Sequence, residues 1–391
     1  MRKLILLVTF IIFTTSIFAQ FGAPPRLVSP EIDGNNVTIR FRAPKAIKVE
    51  LNGDFLPAKE VGTPMGNMLL PAPVEMKEGE DGVWEYTAKY VMPDFYTYTI
   101  SVDGIKMLDP NNLKVIRDGQ NTTNMFIVPG EKSNAFLEAS DHKGTLSKVW
   151  YPSKAFGVER RMSVYTPYGY GETNKKYPVF YLQHGGGGDE DAWPTLGRAC
   201  QILDNLIAQG KAEPMIVVMP NADPNSLAAP DIMDPLPGPS IFSLGMESDE
   251  LHSGGAYTKD LVEDIIPYIE SHYQVIKKKE SRAIAGLSMG GIYTLYTTAR
   301  NPELFNYIGV LSMGFTPGRD AKAELKPVKD AGYKLYWVGC GESDMAWANA
   351  ERLLKGLDEM DMEHTYFGEV GGHNWDTWRV CLKEIAPLLF K

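Results

Sequence analysis

The nine residues Ala283-Ile284-Ala285-Gly286-Leu287-Ser288-Met289-Gly290-Gly291 constrain this chain more than any other stretch. A short apolar run, Arg282 to Ala285, reads as a buried strand. Ile292 to Arg300 reads as a helix that Asn301-Pro302 stops. Between them lies G-x-S-x-G, the sequence form of a sharp strand-to-helix turn that presents a serine at the end of a sheet. A side chain at Gly286 or Gly290 would crowd such a turn, and the serine is forced into a strained backbone conformation. The N–H groups opening the helix then face the serine, where they can stabilise developing negative charge. An ordinary glycine-rich turn can carry the same letters. The rest of the chain must therefore supply a base, an acid and a second N–H donor.

Two histidines follow Ser288 in the chain. His364 opens the expected strand His364-Thr365-Tyr366-Phe367, where an ordinary edge position is the simpler reading. His373 sits in Gly371-Gly372-His373-Asn374-Trp375, past that strand and before a helical C-terminus. The diglycine lets this loop carry the ring to the serine, so His373 is the expected base. For the acid, the strand Leu335-Tyr336-Trp337-Val338 runs into Gly339-Cys340-Gly341-Glu342-Ser343-Asp344. Asp344 is preferred over Glu342 because it opens the next helix, where it could alternatively be a simple N-cap. Asp320 is a third candidate. The two oxyanion donors are expected from the Met289 N–H and from Gly186 or Gly187 in His184-Gly185-Gly186-Gly187-Gly188. His184 itself is expected to be structural, since its strand precedes that of the serine. Trp375 either lines a pocket beside the base or packs in the core.

From Gly144 to the end, residues 144–391, apolar strands alternate with helices, which implies a largely parallel sheet covered on both faces. The expected strands are Arg161–Thr166, Val179–Gln183, Met215–Met219, Tyr307–Leu311 and Leu335–Val338, with helices near Arg198–Ala208 and Thr258–His272. The irregular stretch from Asn221 to Tyr257 is long for a compact domain and is expected to form a substrate-binding wall. Residues 20–130 instead show short alternating runs, such as Asn36–Phe41 and Tyr96–Val102, bounded by Gly, Asn, Asp and Pro. They read as an all-β sandwich in which Trp84 is either core or a sugar-stacking platform. Residues 131–143 read as a linker. Arg2-Lys3, the apolar run Leu4–Phe13 and Ala19 mark residues 1–19 as a cleavable export signal. No cysteine lies near the cut, so no lipid anchor is expected there.

The net charge of −10 argues against a nucleic-acid partner. Three cysteines, Cys200, Cys340 and Cys381, read as buried thiols, with a Cys340–Cys381 bridge left open. The Cys and His residues show no zinc-ligand spacing.

His-Gly-Gly-Gly-Gly, Gly-Leu-Ser-Met-Gly-Gly, Gly-Glu-Ser-Asp and Gly-Gly-His-Asn-Trp, in this order, resemble the esterase D-like α/β-hydrolases. That group includes the feruloyl and acetyl-xylan esterases of carbohydrate esterase family 1 and the enterochelin esterases. The resemblance covers roughly Lys148 to Phe390 and implies Ser288 as nucleophile, Asp344 as acid and His373 as base. It implies no metal or organic cofactor. The N-terminal layout, with Asp81-Gly82-Val83-Trp84 and Tyr98…Val102-Asp103-Gly104, resembles the immunoglobulin-like, glycogen-binding-like module preceding many carbohydrate-active enzymes. Together they imply an exported serine esterase removing feruloyl or acetyl groups from xylan or its oligosaccharides. The alternatives are a ferric-siderophore esterase and a non-catalytic carbohydrate-binding protein.

Overall fold

The computed structural model describes residues 27–63, 66–119, 121–223 and 255–391. The expected export signal and most of the Asn221–Tyr257 insertion lie outside them. The chain divides into two units, and Pro93–Phe95 and Ile116–Thr123 belong to the second although their chain neighbours belong to the first.

The second unit is built on an eight-stranded sheet. Its strands are β1 (Thr145–Ser153), β2 (Val158–Thr166), β3 (Val179–Gln183), β4 (Ile216–Pro220), β5 (Arg282–Leu287), β6 (Tyr307–Leu311), β7 (Leu335–Gly339) and β8 (Thr365–Phe367). The spatial order is β1-β2-β4-β3-β5-β6-β7-β8. β2 runs antiparallel to both β1 and β4, and every later pairing is parallel. β3, β4 and β6 are buried along their whole length, as strands covered on both faces must be, which is why they read as unbroken apolar runs. β1 was not expected from sequence. Its first residues are mostly exposed and it carries Pro152, both marks of an edge strand.

The helix after β5, α1 (Met289–Arg300), is buried from Met289 to Thr298. Two of its threonines bond within the helix, Thr294 Oγ1 donating to Gly290 O at 2.9 Å and Thr298 Oγ1 to Thr294 O at 2.9 Å, and the third, Thr297, pairs through its hydroxyl with that of Thr258 at 3.2 Å. Such bonding lets polar side chains occupy a buried face without an orphaned hydroxyl.

The stretch read as a linker is packed within this second unit. Phe136 is buried, Asn205 Nδ2 donates to Ala135 O at 3.0 Å and to Leu137 O at 2.9 Å, and Arg198 Nε donates to Phe136 O at 3.1 Å. The buried Arg379 guanidinium lies over the Phe95 and Phe136 rings and donates to Asp94 Oδ1 at 3.1 Å. Backbone carbonyls of an irregular segment need partners once buried, and amide and guanidinium side chains supply them here. Cys340 and Cys381 are buried free thiols, and burial pushes the Cys340 thiol up to about 12. Cys200 is partly exposed.

The first unit is all-β. One sheet pairs Glu31–Asp33, Asn36–Arg42, Val83–Ala88 and Lys77–Glu78, with Ile39 opposite Tyr86. A second sheet includes Val49–Gly53 between Phe95–Val102 and Val74–Glu75. Alternate residues Val37, Ile39 and Phe41 meet Leu51, Tyr98, Ile100 and Phe126 in one core. Trp84 belongs to that core, and its Nε1 donates to Ala43 O at 3.0 Å, so it is not a sugar-stacking platform.

Candidate active site

The elbow is as tight as its glycines require. Ser288 adopts φ 51° and ψ −116°, in the left-handed half of backbone space that side chains avoid. A Cβ on Gly290 would lie 2.5 Å from His184 O, and one on Gly286 would collide with the Gly290 carbonyl. The Ser288 N–H is held by Leu311 O at 2.9 Å, tying the turn to the end of β6.

His373 reaches this serine. Its Nε2 lies 2.9 Å from Ser288 Oγ and its Nδ1 lies 2.9 Å from Asp344 Oδ1. Asp344 is buried and also accepts the Ala346 N–H at 2.8 Å. Burial alone would raise its carboxyl pKa. The hydrogen bond and charge interaction with His373, aided by Ser312 and the Ala346 N–H, outweigh burial and hold it below the usual value. An ionised carboxylate only accepts, so the Nδ1–H donates to Asp344 and Nε2 is left to take the serine proton. The three side chains sit beyond the carboxyl ends of β5, β7 and β8, where open α/β sheets place their chemistry.

The other candidates fall elsewhere. Glu342 is exposed. Asp320 caps the helix Ala321–Ala331, accepting from the Lys322 and Ala323 N–H groups at 3.1 Å. His364 bonds through Nδ1 to its neighbour Met362 O at 2.9 Å. His184 is buried, and its Nε2 accepts the Ala222 N–H at 2.8 Å. Nδ1 therefore carries the proton, facing Gly185 O at 2.7 Å, and burial lowers the ring pKa, so this histidine is neutral. It pins the loop after β3 to the end of β4.

That loop passes Ser288: a Cβ on Gly185 would come within 3.3 Å of Ser288 Cβ. Gly187 has φ +80°, and Gly188 closes the turn by donating to Gly185 O at 3.3 Å. Gly186 is partly exposed and Gly187 exposed. Met289 opens α1 directly after Ser288.

Residues 153–389 match the Esterase family, described as "Putative esterase". The chain belongs to this family. It is 33% identical over 327 residues to an endo-1,4-beta-xylanase/feruloyl esterase of Xylanibacter ruminicola. That alignment covers 81% of this chain but 41% of the relative, so the chain spans less than half that protein's length. Among solved structures, a CE1 ferulic acid esterase from Anaeromyces mucronatus, in complex with ferulic acid, is 27% identical with a TM-score of 0.55. It covers 67% of this chain and 96% of its own. The enterobactin esterase of Shigella flexneri, at 15% identity and a TM-score of 0.59, covers 90% and 92%, a likeness of fold. The α/β-hydrolase architecture expected from the motifs is therefore the architecture of the esterase.

Sequence reasoning missed one residue beside His373. Trp378 meets the His373 ring edge to face, with centroids 5.2 Å apart, and its Nε1 donates to Ser312 Oγ at 2.9 Å. Trp375, expected near the pocket, is half-buried and packs edge to face against Trp193 and Trp378. The signal was the spacing: Trp375 and Trp378 lie three apart on one helix and share a face. The loop carrying His373 is fixed by Thr377 Oγ1, which donates to Gly372 O at 2.6 Å, and by Asn374, whose side chain accepts the Thr377 N–H at 3.1 Å.

Proposed function

We propose that this esterase is an exported serine carboxylesterase that removes feruloyl or acetyl groups from xylan or its oligosaccharides. The observation that carries the serine mechanism is the unbroken chain Ser288 Oγ–His373 Nε2 and His373 Nδ1–Asp344 Oδ1, each link 2.9 Å. In this mechanism Ser288 Oγ attacks the ester carbonyl carbon while its proton passes to His373 Nε2. The carbonyl oxygen takes up negative charge facing the N–H groups of Met289 and of Gly186 or Gly187. Collapse breaks the bond to the sugar oxygen, which takes the proton from His373 and leaves as a hydroxyl. Water, activated by the same imidazole, then releases the acid from the acyl-serine. Asp344 holds the tautomer throughout.

The substrate class rests on relatives named as feruloyl esterases and on the N-terminal signal pattern. The packing of Trp375 between two other tryptophans favours a supporting role for it over direct substrate contact. Among the described residues no helix is long and apolar enough to cross a membrane.

The full chain and Ser288→Ala are compared on phenyl acetate, methyl ferulate, feruloylated and acetylated xylan oligosaccharides and a catecholate siderophore ester. The wild type is expected to cleave the xylan esters, and the alanine variant to lose about a thousandfold or more in kcat. A serine-directed phosphonate is expected to label Ser288. Cleavage of the siderophore ester alone would move the chain to the siderophore reading, and cleavage of none would leave a carbohydrate-binding role.

A further inference from the structure

The glycine run after β3 cannot hold itself in place. Gly186 and Gly187 have no side chains to pack, and the bond that closes their turn, Gly188 N–H to Gly185 O, is long at 3.3 Å. An oxyanion donor nevertheless works only if its N–H already points at the oxygen before the charge develops. Something outside the run must fix these peptides.

The residues that follow the run are charged and anchored. Asp189 and Glu190 are buried, with Asp189 Oδ1 accepting the Asp191 N–H at 2.8 Å. Arg161 Nε donates to Glu190 Oε1 at 2.6 Å. The Arg117 guanidinium bridges the other two carboxylates, one Nη to Asp189 and the other to Asp191. Arg117 is itself oriented, because Nη1 also donates to Gly119 O at 2.9 Å and its own carbonyl accepts from Thr195 Oγ1 at 3.2 Å. Gly119, buried at φ +55°, lies directly against the Gly187 carbonyl, where an added Cβ would collide. The segment Ile116–Thr123 thus touches the run at Gly187 through Gly119 and clamps the residues that follow it through Arg117.

We propose that Arg117 and Gly119 are positioning residues for the oxyanion loop. They orient the Gly186–Gly187 peptides and so act on the transition state, not on substrate binding. The inference rests on the serine-esterase reading above and locates a control of its rate nearly seventy residues before the glycine run.

The test uses the full chain with Arg117→Ala, Arg117→Lys and Gly119→Ala. kcat and KM are measured on 4-nitrophenyl acetate, with the affinity for phenylboronic acid, which forms a tetrahedral adduct on an active-site serine. Arg117→Ala and Gly119→Ala are expected to lower kcat about 10- to 100-fold, with KM within about twofold. Boronate affinity should fall by a factor matching kcat, and Arg117→Lys should recover part of both. Gly119→Ala changes no charge, so it carries the test even if removal of Arg117 unfolds the protein. Wild-type kcat in the folded Gly119→Ala variant, or a lost kcat with unchanged boronate affinity, would overturn the inference. A wild type that turns the ester over without needing Ser288 would overturn the underlying reading instead.

Discussion

Ser288 and the groups that serve it are held by opposite means. The serine turn is written in one short stretch of chain: a buried strand, a buried helix, and two glycines whose replacement would drive a Cβ into backbone, that of Gly290 or that of His184. The groups that converge on it depend on distant chain. His373 is oriented by Asp344 and flanked by Trp378, which bonds to Ser312, and the glycine run is followed by carboxylates paired with Arg117 and Arg161. Sterics of one turn can be written in a short motif, whereas ion pairs and ring contacts across the fold cannot.

The sharpest way to break this comparison is to alter a distant group without touching the turn. Asp344→Asn should lower kcat by about four orders of magnitude, because an amide can fix the wrong imidazole tautomer. Glu342→Gln, on an exposed side chain, should change it less than about twofold. Kinetics on phenyl acetate check both, and a larger loss from Glu342→Gln would reassign the acid. Asp344 is held below the usual carboxylate range. Because its folded pKa lies below an unfolded value of about 3.9, its ionised form stabilises the fold above that pH. That stabilisation is lost only as pH falls through the folded value. Asp344→Asn should therefore lower Tm at neutral pH and approach the wild type in strong acid.

This asymmetry governs what could be read from the residues alone. β3 and β6 were legible to their exact ends because all-buried parallel strands are continuous apolar runs. β1 was not, since an edge strand mixes exposed and buried positions and its pairing with β2 is visible only in space. His373, Asp344 and the serine turn were legible because each follows a strand and lies among glycines that announce a loop. Trp378 was missed because its spacing from Trp375 shows a shared helix face but not that its ring also meets His373. Arg117 was missed for a stronger reason: it lies among residues that read as the first domain, yet the segment Ile116–Thr123 belongs to the second unit. The stretch 131–143 misled in the same way, because polar composition suggests a linker whether or not its carbonyls find partners.

A second test sets one turn against the other. Gly290→Ala places a Cβ 2.5 Å from His184 O, against rigid backbone, and should cost at least about a hundredfold in kcat or prevent folding. Gly187→Ala meets no atom, and its penalty is the positive φ alone, about 1 kcal/mol. It should fold, with kcat lowered by roughly tenfold or less. Thermal unfolding and kinetics of the two variants check the contrast. Equal losses would mean that the glycine run is as sterically determined as the serine turn.

The smallest expected effect probes how far support for the base extends. Trp378 touches both partners of the triad's acidic side: its ring faces His373 and its N–H bonds to Ser312, whose hydroxyl contributes to the low pKa of Asp344. Phenylalanine would keep an aromatic edge near the imidazole but remove the donor, leaving the buried Ser312 hydroxyl short of one hydrogen bond. Such a bond is worth about 1 kcal/mol, so full expression at the transition state would lower kcat roughly fivefold. Trp378→Leu removes the ring contact as well and should lower kcat further. In both variants KM should stay near the wild-type value, because Trp378 is buried. A rise in KM with kcat unchanged would instead place this tryptophan in the pocket wall. It would then take the substrate-lining role first expected of Trp375, and support for the base would end at Asp344.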